Sequence, residues 1–347
     1  MQTRKKDFPF AKLRLHKRIY FLCRPQTFLK KEWCFVEKIV YTDISTLEKE
    51  LSASAHQLYA LSNSKDMHYK KVKIPKKSGG HRTLFVPDHA LKTVQRRILN
   101  DLLYRMPSSP YACAYEFGKS LCDSASHHIG KKYLMKLDIK NFFDSISYAS
   151  VKNVFSAEHF SEPLRILLAS LCYYRESLPQ GAPTSPKIAN LVLYGFDMRV
   201  GSECRKRGIT YTRYCDDMAF STDISREVLC DMLKFIKNEL YREHLYLNPE
   251  KTVICTNSSR MCVTGVVVNE KASVKREYLK ELRRDIYYCK KFGVADHLKK
   301  LGEDIPPEEY IRKLYGRVAF VLSIDKDNKE AAQYKKQILE LRGKNGT

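Results

Sequence analysis

Hydrophobic positions in the first third of the chain recur at two spacings, one helical and one alternating. Residues 46–62 place leucines three or four positions apart, which predicts one amphipathic helix. Residues 69–74 and 81–86 carry β-branched and aromatic residues, and the Lys- and Gly-rich segment between them predicts a hairpin. Residues 89–106 return to helical spacing and predict a second helix. Its apolar face carries Leu91, Val94, Ile98 and Leu102.

The middle of the chain alternates between strands and helices. A strand over residues 133–137 ends at Asp138, and a hairpin over residues 211–221 carries two adjacent aspartates at its turn. Ser185 and Ser225 are placed to cap the helices that follow them. The resulting order, strand–helix–strand–strand–helix–strand, is that of a ferredoxin-like sheet.

From about residue 274 the pattern is helical throughout. Three apolar stripes predict three helices that pack as a small bundle. Basic residues lie off the first stripe: Lys280, Arg283, Arg284, Lys290 and Lys291. A basic outer face of this kind is a candidate for gripping a nucleic-acid duplex.

The charge balance points to a polyanionic partner. The 347 residues include 62 Lys and Arg against 39 Asp and Glu, a formal net charge of +23. Self-repulsion makes such an excess mildly unfavourable for folding, whereas each neutralised phosphate releases condensed counterions. A basic surface that merely aids solubility is the simpler alternative, but nucleic acid is the favoured partner.

No segment predicts a membrane span or an exported protein. No apolar run approaches the ~20 residues that cross a bilayer, and the apolar stretch at residues 19–23 is too short for the core of a signal peptide. The 11 cysteines form no CxxC pair and show no zinc-type spacing. An odd number of unpaired cysteines suits a reducing compartment. We therefore expect a cytoplasmic protein without a membrane partner.

Three aspartates are the candidate chemistry. Asp216 and Asp217 lie at a tight turn, where paired acids are usually simple turn formers. Asp138 ends an apolar strand, so the three carboxylates converge if the two strands are neighbours. Carboxylates that close stay ionised only with cations between them, and oxygen-only ligands favour Mg²⁺ or Mn²⁺. Two such ions ~4 Å apart clamp the attacking and leaving oxygens of a phosphoryl transfer.

Four segments, in the same order, resemble the reverse transcriptases. Residues 214–217 (YCDD) resemble the YxDD box of that family, with cysteine where alanine is usual. Residues 137–146 (LDIKNFFDSI) resemble its first aspartate motif, and residues 178–186 (LPQGAPTSP) its nucleotide-pocket motif. Residues 245–252 (LYLNPEKT) resemble the lysine motif that follows. The resemblance covers most of residues 65–325 and implies an RNA-directed DNA polymerase that uses dNTPs.

The resemblance also implies roles for individual residues. It implies that Asp138, Ile139, Asp216 and Asp217 form the metal-binding set for two Mg²⁺ ions, with Mn²⁺ as a substitute. Lys251 is expected to protonate the departing pyrophosphate, with a plain surface lysine as the alternative. Six residues would surround the incoming nucleotide: Lys76, Lys77, Arg82, Phe143, Gln180 and Gly181.

Each nucleotide-pocket residue has a physical task under this resemblance. The cations of the hairpin would meet the triphosphate, although one of the two lysines could belong to a solvated turn. The ring of Phe143 would clash with a ribose 2′-OH and select deoxynucleotides. Phe142 and Phe143 are adjacent, so one of them is expected to face the core. Gly181 allows close approach of the backbone.

Two further segments resemble the retron reverse transcriptases, bacterial enzymes that make branched RNA–DNA molecules. Residues 263–269 (VTGVVVN) resemble their VTG signature, and residues 124–128 (SASHH) resemble their NAxxH motif with Ser in place of Asn. His128 is expected to contact the cognate RNA, with a mere turn residue as the alternative. The set of expected RNA contacts is His128, Val263, Thr264, Gly265, Lys280, Arg283 and Arg284.

The retron resemblance implies partners as well as a product. The template and primer would be a structured non-coding RNA, the product msDNA, the setting antiphage defence, and an additional partner a toxin or effector protein. A stand-alone phage-defence enzyme or a group II intron-derived reverse transcriptase is the alternative. A polymerase fold that only binds RNA is a further alternative, against which the three aspartates and the nucleotide-pocket motif argue.

The patterns together predict an α+β protein with the right-hand fold of polymerases. A basic N-terminal segment occupies residues 1–45. The fingers and a ferredoxin-like palm, an antiparallel sheet with helices, occupy residues 46–270, and a helical thumb occupies residues 271–347.

Overall fold

The described part of the chain comprises residues 41–75 and 79–344 of a computed structural model. The basic segment predicted over residues 1–45 lies almost wholly outside the described residues, and so do Lys76 and Lys77. Within the described ranges the strands are β1 (Tyr69–Pro75), β2 (His81–Pro87), β3 (Tyr133–Asp138), β4 (Thr210–Tyr214), β5 (Asp217–Thr222), β6 (Val253–Thr256), β7 (Cys262–Val263) and β8 (Val266–Val267).

The α-helices of the same ranges divide into an N-terminal and a C-terminal group. The first group is α1 (Ile44–Leu51), α2 (Ala55–Asn63), α3 (Lys65–His68), α4 (His89–Arg97), α5 (Leu121–Ser126), α6 (Phe142–Ser145), α7 (Tyr148–Val154) and α8 (Glu162–Cys172). The second is α9 (Ser185–Val192), α10 (Tyr194–Lys206), α11 (Arg226–Arg242), α12 (Arg276–Phe292), α13 (Val294–Leu301), α14 (Pro307–Ile324) and α15 (Lys329–Lys344).

The single helix predicted over residues 46–62 is in fact two helices. Ser52 adopts a left-handed conformation (φ 46°) and ends α1, while the hydroxyl of Ser54 accepts the backbone N–H of Gln57 and begins α2. Serine favours helix ends because its side chain bonds nearby backbone groups. The predicted apolar face is nevertheless buried as a whole, at Leu47, Leu51, Leu58 and Leu61.

The predicted hairpin and the helix after it are both present. Strands β1 and β2 pair antiparallel, with Tyr69 opposite Pro87 and Pro75 opposite His81. Asp88 caps α4, which continues beyond Arg97 as a wider π turn (Ile98–Leu102) and a tighter 3-10 turn (Leu103–Arg105). All four predicted apolar positions of this segment are buried.

Four strands form the central antiparallel sheet, in the order β4-β5-β3-β6. Strand β3 pairs with β5 on one side and with β6 on the other. Since β3 comes first in the chain, the β4–β5 hairpin next and β6 last, this is the predicted ferredoxin-like arrangement. The sheet and its helices make the protein an α+β polymerase fold.

Both faces of the central sheet are covered. Met135, Leu137 and Phe220 face α10 and α11 and belong to a large hydrophobic cluster that extends through the N-terminal helices. Successive strand residues point to opposite faces, and Leu134 and Ala219 belong to a second cluster. The second cluster also contains side chains of α5, the β7–β8 hairpin and the C-terminal helices. These two faces are called here the helix face and the back face.

Four helices, not the predicted three, form the C-terminal region. The additional helix α13 follows Gly293, which has a positive φ (87°), and it buries only Val294, His297 and Leu298. Eight residues with so few apolar positions give little periodic signal. The stripe predicted for α14 is buried as expected, at Ile311, Leu314, Val318 and Val321. Among the helices of the described ranges, none has an apolar stretch long enough to span a bilayer.

Burial within α14 and α15 makes a testable difference between two leucines. Leu314 is fully buried, whereas Leu339 is 48% exposed. Leu314→Ala should lower the free energy of unfolding by about 2–5 kcal/mol, because it leaves a cavity in the second cluster. Leu339→Ala, the same chemical change on the surface, should stay within about 0.5 kcal/mol of the wild type. Urea unfolding measures both, and equal losses would contradict this packing.

Candidate active site

Strand register brings the predicted carboxylates together. Asp138 is directly opposite Asp217 in the β3–β5 pair, and opposite residues point to the same face of a sheet, here the back face. Asp216 lies in the two-residue turn that joins β4 to β5. Its carbonyl accepts the backbone N–H of Ile139 at 3.1 Å, so the turn is tied to the residue after Asp138. The three aspartates therefore lie at one end of two paired strands.

The electrostatics of these groups reflect crowded negative charge. Burial, followed by the charges of Asp216 and Asp138, raises the pKa of Asp217 to about 6. The ammonium of Lys251 donates to Oδ2 of Asp138 at 2.7 Å, and this bond raises the pKa of Lys251. Among the described residues, no group of three His, Cys, Asp or Glu side chains is arranged to hold a metal ion as it stands. The donors nevertheless fit a hard divalent cation, since they are oxygens whose mutual repulsion a cation would relieve.

Ile139 can join such a site only through its backbone. Its side chain is buried in the large cluster, while its N–H bonds the turn. The segment that ends in Lys251 is tied to the same strand end, because the N–H of Asn248 donates to the carbonyl of Asp138 at 2.8 Å. The lysine motif and the first aspartate motif thus meet through the backbone as well as through the Lys251–Asp138 ion pair.

The two adjacent phenylalanines take different environments. Phe142 is buried in the large cluster, as expected for one of the pair, and Phe143 is only partly buried. The carbonyl of Phe143 accepts the N–H of Leu178, the first residue of the nucleotide-pocket motif. Phe143 therefore lies beside that motif with part of its ring open to solvent.

Gly181 is the point where the nucleotide-pocket motif touches the β1–β2 hairpin. The carbonyl of Gln180 accepts the N–H of Phe85 at 2.8 Å. Gly181 has φ 125°, and a Cβ there would lie 2.8 Å from the carbonyl oxygen of Phe85. Only glycine fits both the conformation and the close approach. Arg82 is exposed on β2 of the same hairpin, opposite Ile74.

His128 is in the interior, which corrects the predicted direct contact with RNA. Its ring is fully buried on the back face of the sheet. Nδ1 pairs with the hydroxyl of Ser221 at 2.7 Å and Nε2 with the hydroxyl of Thr212 at 2.8 Å. Ser124, where the family motif has Asn, is also hydrogen-bonded to Thr212. Both nitrogens are occupied by the sheet, so the histidine anchors α5 there and cannot reach RNA from this position.

The VTG segment packs beside this anchor. Thr264 and Gly265 form the tight turn of the β7–β8 hairpin, both with positive φ. Val263 is buried in the second cluster, so its predicted RNA contact is corrected to a core position, whereas Gly265 is exposed at the turn. The N–H of Gly130 donates to the carbonyl of Val268 at 3.0 Å and joins the two segments. The retron-like signatures therefore form one unit on the back face.

The predicted basic residues of α12 are all exposed, but two are engaged within the protein. Arg283 forms an ion pair with Glu330 at 2.6 Å, and Arg284 lies 3.5 Å from Asp285. Lys280 and Lys290 have no ion pair among the described residues. The lysines are therefore more available to phosphates than the two arginines.

The sequence reasoning missed a buried polar network beneath the catalytic turn. Arg213, in β4, is fully buried and contacts Asp197, Asn190 and the carbonyl of Cys215. The signal was present, because an arginine in the middle of a strand next to the YCDD box is unusual for a core strand. What the sequence could not show was that its partners come from α9 and α10.

Residues 74–279, more than half of the chain, match the protein family described as reverse transcriptase (RNA-dependent DNA polymerase). The chain therefore belongs to the reverse transcriptases. It has RNA-directed DNA polymerase activity and binds an RNA template. Divalent metal dependence follows from the same family membership.

Similar curated proteins narrow the class. The retron Ec86 reverse transcriptase of Escherichia coli is 30% identical over 312 residues, covering 88% of this chain and 92% of that protein. The retron Mx65 reverse transcriptase of Myxococcus xanthus is 32% identical, over 76% of this chain and 63% of that protein. The retron Ec83 reverse transcriptase of Escherichia coli is 32% identical, over 72% and 87%. This chain is a reverse transcriptase of the retron type.

Solved structures give weaker likenesses. A telomerase from Candida albicans in complex with a fragment of telomeric RNA has a TM-score of 0.44 and 11% identity, covering 79% of this chain and 63% of that one. An apo telomerase from Candida tropicalis has a TM-score of 0.43 and 14% identity, covering 66% and 60%. Neither score is high enough to support a finer conclusion.

The buried position of His128 predicts a pH dependence of stability. Burial, followed by the charges of His127 and Lys131, lowers its pKa from 6.5 to about 3. Between those values the unfolded chain binds one more proton, so this stabilising contribution is complete above pH 6.5 and is lost as pH falls towards 3. His128→Gln removes the titration, and its stability relative to the wild type should improve by up to about 1.4 kcal/mol for each unit of acidification.

Urea midpoints between pH 7 and pH 4 measure that difference. His127→Gln, which changes the exposed neighbouring histidine, is the matched control and should follow the wild type. Parallel stability curves for the wild type and His128→Gln would contradict the buried, neutral state of His128.

Proposed function

We propose that Asp138, Asp216 and Asp217 are the catalytic centre of a two-metal nucleotidyl transfer. The observation that supports this most directly is the β3–β5 register, which sets Asp138 opposite Asp217 next to the turn that holds Asp216. Two Mg²⁺ ions, or Mn²⁺ as a substitute, would polarise the attacking hydroxyl and neutralise charge on the leaving oxygen. The backbone of Ile139, bonded to the turn, would complete the metal-binding set.

The chain's own residues would orient the nucleotide and move the proton. A primer hydroxyl attacks the α-phosphate of a dNTP, and pyrophosphate leaves. Lys251, now paired with Asp138, is placed to protonate that leaving group. Gln180 and Gly181 hold the sugar and base side, while Phe143 excludes a 2′-OH. Arg82, with Lys76 and Lys77 of the same hairpin, would bind the triphosphate.

The proposed product is msDNA, a branched RNA–DNA made on a cognate structured non-coding RNA. The retron relatives and the retron-like unit on the back face support this over a stand-alone defence enzyme or an intron-derived enzyme. The RNA would contact Thr264 and Gly265 at the exposed turn of the VTG unit, and the phosphates would contact Lys280 with Arg283 and Arg284. A role in antiphage defence, with a toxin or effector protein as partner, completes the proposal.

We further propose the division into fingers and palm over residues 46–270 and a thumb from residue 271. The two hydrophobic clusters support it in part, because the C-terminal helices share only the second one. The N-terminal helices belong wholly to the first. The β7–β8 hairpin is the segment by which the thumb would be joined to the palm.

Asp216→Asn tests the metal centre. Loss of one carboxylate should lower the rate of dNTP incorporation by at least ~10³-fold, since each 1.36 kcal/mol of barrier is a factor of ten. The fold should be retained, as judged by an unchanged melting temperature. Asp231→Asn, the same change at an exposed residue of α11, should leave the rate unaltered. An Asp216→Asn enzyme with more than a tenth of wild-type activity would exclude this centre.

Phe143→Ala tests sugar selection. Removing the ring should raise the use of ribonucleotides relative to deoxynucleotides, because the 2′-OH no longer meets a side chain. The measurement is the ratio of kcat/KM for rNTP and dNTP on one template. Phe142→Ala, which opens a cavity in the core instead, should lower stability and leave that ratio alone. An unchanged ratio in Phe143→Ala would assign Phe143 to packing only.

Copurified RNA tests the retron product. The protein should carry one structured RNA and extend DNA from an internal 2′-OH of it, which gives a branch that resists 3′-exonuclease and yields to a debranching enzyme. His128→Ala should impair this reaction more than extension of a generic annealed primer, because it loosens the VTG unit rather than the aspartate centre. Heterogeneous RNA with only linear cDNA would instead favour the stand-alone or intron-derived class.

A further inference from the structure

Arg213 is a buried charge with an unusually complete set of partners. Its side chain has no solvent exposure, in a strand whose neighbours are packed core. Nε donates to Oδ1 of Asp197 at 2.9 Å and Nη2 to Oδ2 at 2.6 Å, so one edge of the guanidinium is held by a carboxylate of α10. Tyr211 donates a third hydrogen bond to the same carboxylate, at 2.7 Å. A buried charge requires such pairing to be tolerated.

The remaining edge of the guanidinium points at the catalytic turn. Nη1 donates to the carbonyl of Cys215 at 3.0 Å and to Oδ1 of Asn190 at 3.0 Å. Cys215 is the residue before Asp216, and it adopts a left-handed conformation (φ 60°). For a residue other than glycine this conformation costs about 1–2 kcal/mol, so it persists only where surrounding contacts hold it.

Asn190 extends the network to the nucleotide pocket. It is on α9, the helix that begins within the nucleotide-pocket motif. Its amide nitrogen donates to the carbonyl of Ala114 at 2.7 Å and to the carboxylate of Glu116 at 3.0 Å, while its oxygen accepts from Arg213. One planar guanidinium thus connects α10, α9 and the turn between β4 and β5.

We propose that Arg213 is a positioning residue that fixes the catalytic turn. By holding the carbonyl of Cys215 against the rigid anchor of Asp197, it sets where the carboxylate of Asp216 lies relative to Asp138. Through Asn190 it sets the same turn relative to the helix that follows the nucleotide pocket. Arg213 touches neither nucleotide nor metal. The inference rests on the proposed function of the aspartates.

Lysine cannot replace arginine in this arrangement. The guanidinium presents donors on two edges of a rigid plane and so bonds Asp197 and the turn at once, whereas an ammonium is a single point of charge. A group that merely neutralised Asp197 would need only one of those edges. The second edge, aimed at Cys215 and Asn190, is what the positioning role requires.

The first experiment compares Arg213→Lys with Tyr211→Phe in single-turnover extension of one base. Both changes weaken the bonds to Asp197, but only Arg213→Lys releases the turn. Arg213→Lys should lower the maximal rate about 10²-fold, the loss typical of ~1 Å misplacement of a reacting group. Its dissociation constants for dNTP and template–primer should stay within about threefold, as expected when only transition-state alignment is lost. Tyr211→Phe should retain the wild-type maximal rate.

A second variant covers the case in which Arg213→Lys fails to fold. Asp197→Leu and Arg213→Met, added to Tyr211→Phe, replace the buried ion pair by apolar side chains, a change that buried ion pairs often tolerate without loss of stability. Its melting temperature should match that of Tyr211→Phe, yet its maximal rate should fall as in Arg213→Lys. A folded variant of either kind with a wild-type rate overturns the positioning role.

Asp216→Asn, measured in parallel, separates the two levels of the argument. If Asp216→Asn abolishes incorporation while Arg213→Lys keeps the wild-type rate, the aspartate centre stands and the positioning role of Arg213 is excluded. If Asp216→Asn remains active, the turn is not the catalytic centre and the inference fails with it. A fall in rate that is matched by an equal loss in dNTP or template–primer affinity also counts against positioning, because it would indicate general disorder of the pocket.

Discussion

The antiparallel pairing of β3 with β5 is the constraint on which the catalytic end of the molecule depends. Side chains on a strand alternate between the two faces, so a slip of one residue would move every side chain to the wrong face. Asp217 would then point at the helices, and Phe220 would leave the core. Packing on both faces opposes such a slip, because Met135 and Phe220 fill the helix face while Leu134 and Ala219 fill the back face. Hydrophobic packing several residues away therefore fixes where the carboxylates meet.

The back face divides into two chemical regions along the same strands. At one end lie acidic residues that repel one another and suit a cation. Towards the other end lie hydroxyls of Thr212 and Ser221, neutral groups that accept and donate to His128 without charge. The uncharged state of that histidine suits its place, since a buried imidazolium between two hydroxyls would have no counter-ion. The sheet thus combines an ionic site with a dry polar anchor over a distance of a few residues.

Sequence patterns predicted the parts of this structure that are local. The hairpin with its adjacent aspartates, the order of strands and the identity of the buried leucines all followed from periodicity and turn residues. The break at Ser52 and the short helix α13 were missed, because a single left-handed residue or two apolar positions leave little trace in a pattern. The burial of His128 and the partners of Arg213 depend on which distant segments meet, and one sequence does not contain that information.

The second hydrophobic cluster has a consequence for how the enzyme travels along its template. It includes side chains of the central sheet, α5, the β7–β8 hairpin and the C-terminal helices. Swinging those helices away from the sheet would expose several of these side chains to water, at about 1.5–3 kcal/mol each. A wide opening between successive additions is therefore expensive. Stepping is expected to proceed by nucleic acid sliding through a grip that stays closed, with the protein acting as a track rather than as a ratchet.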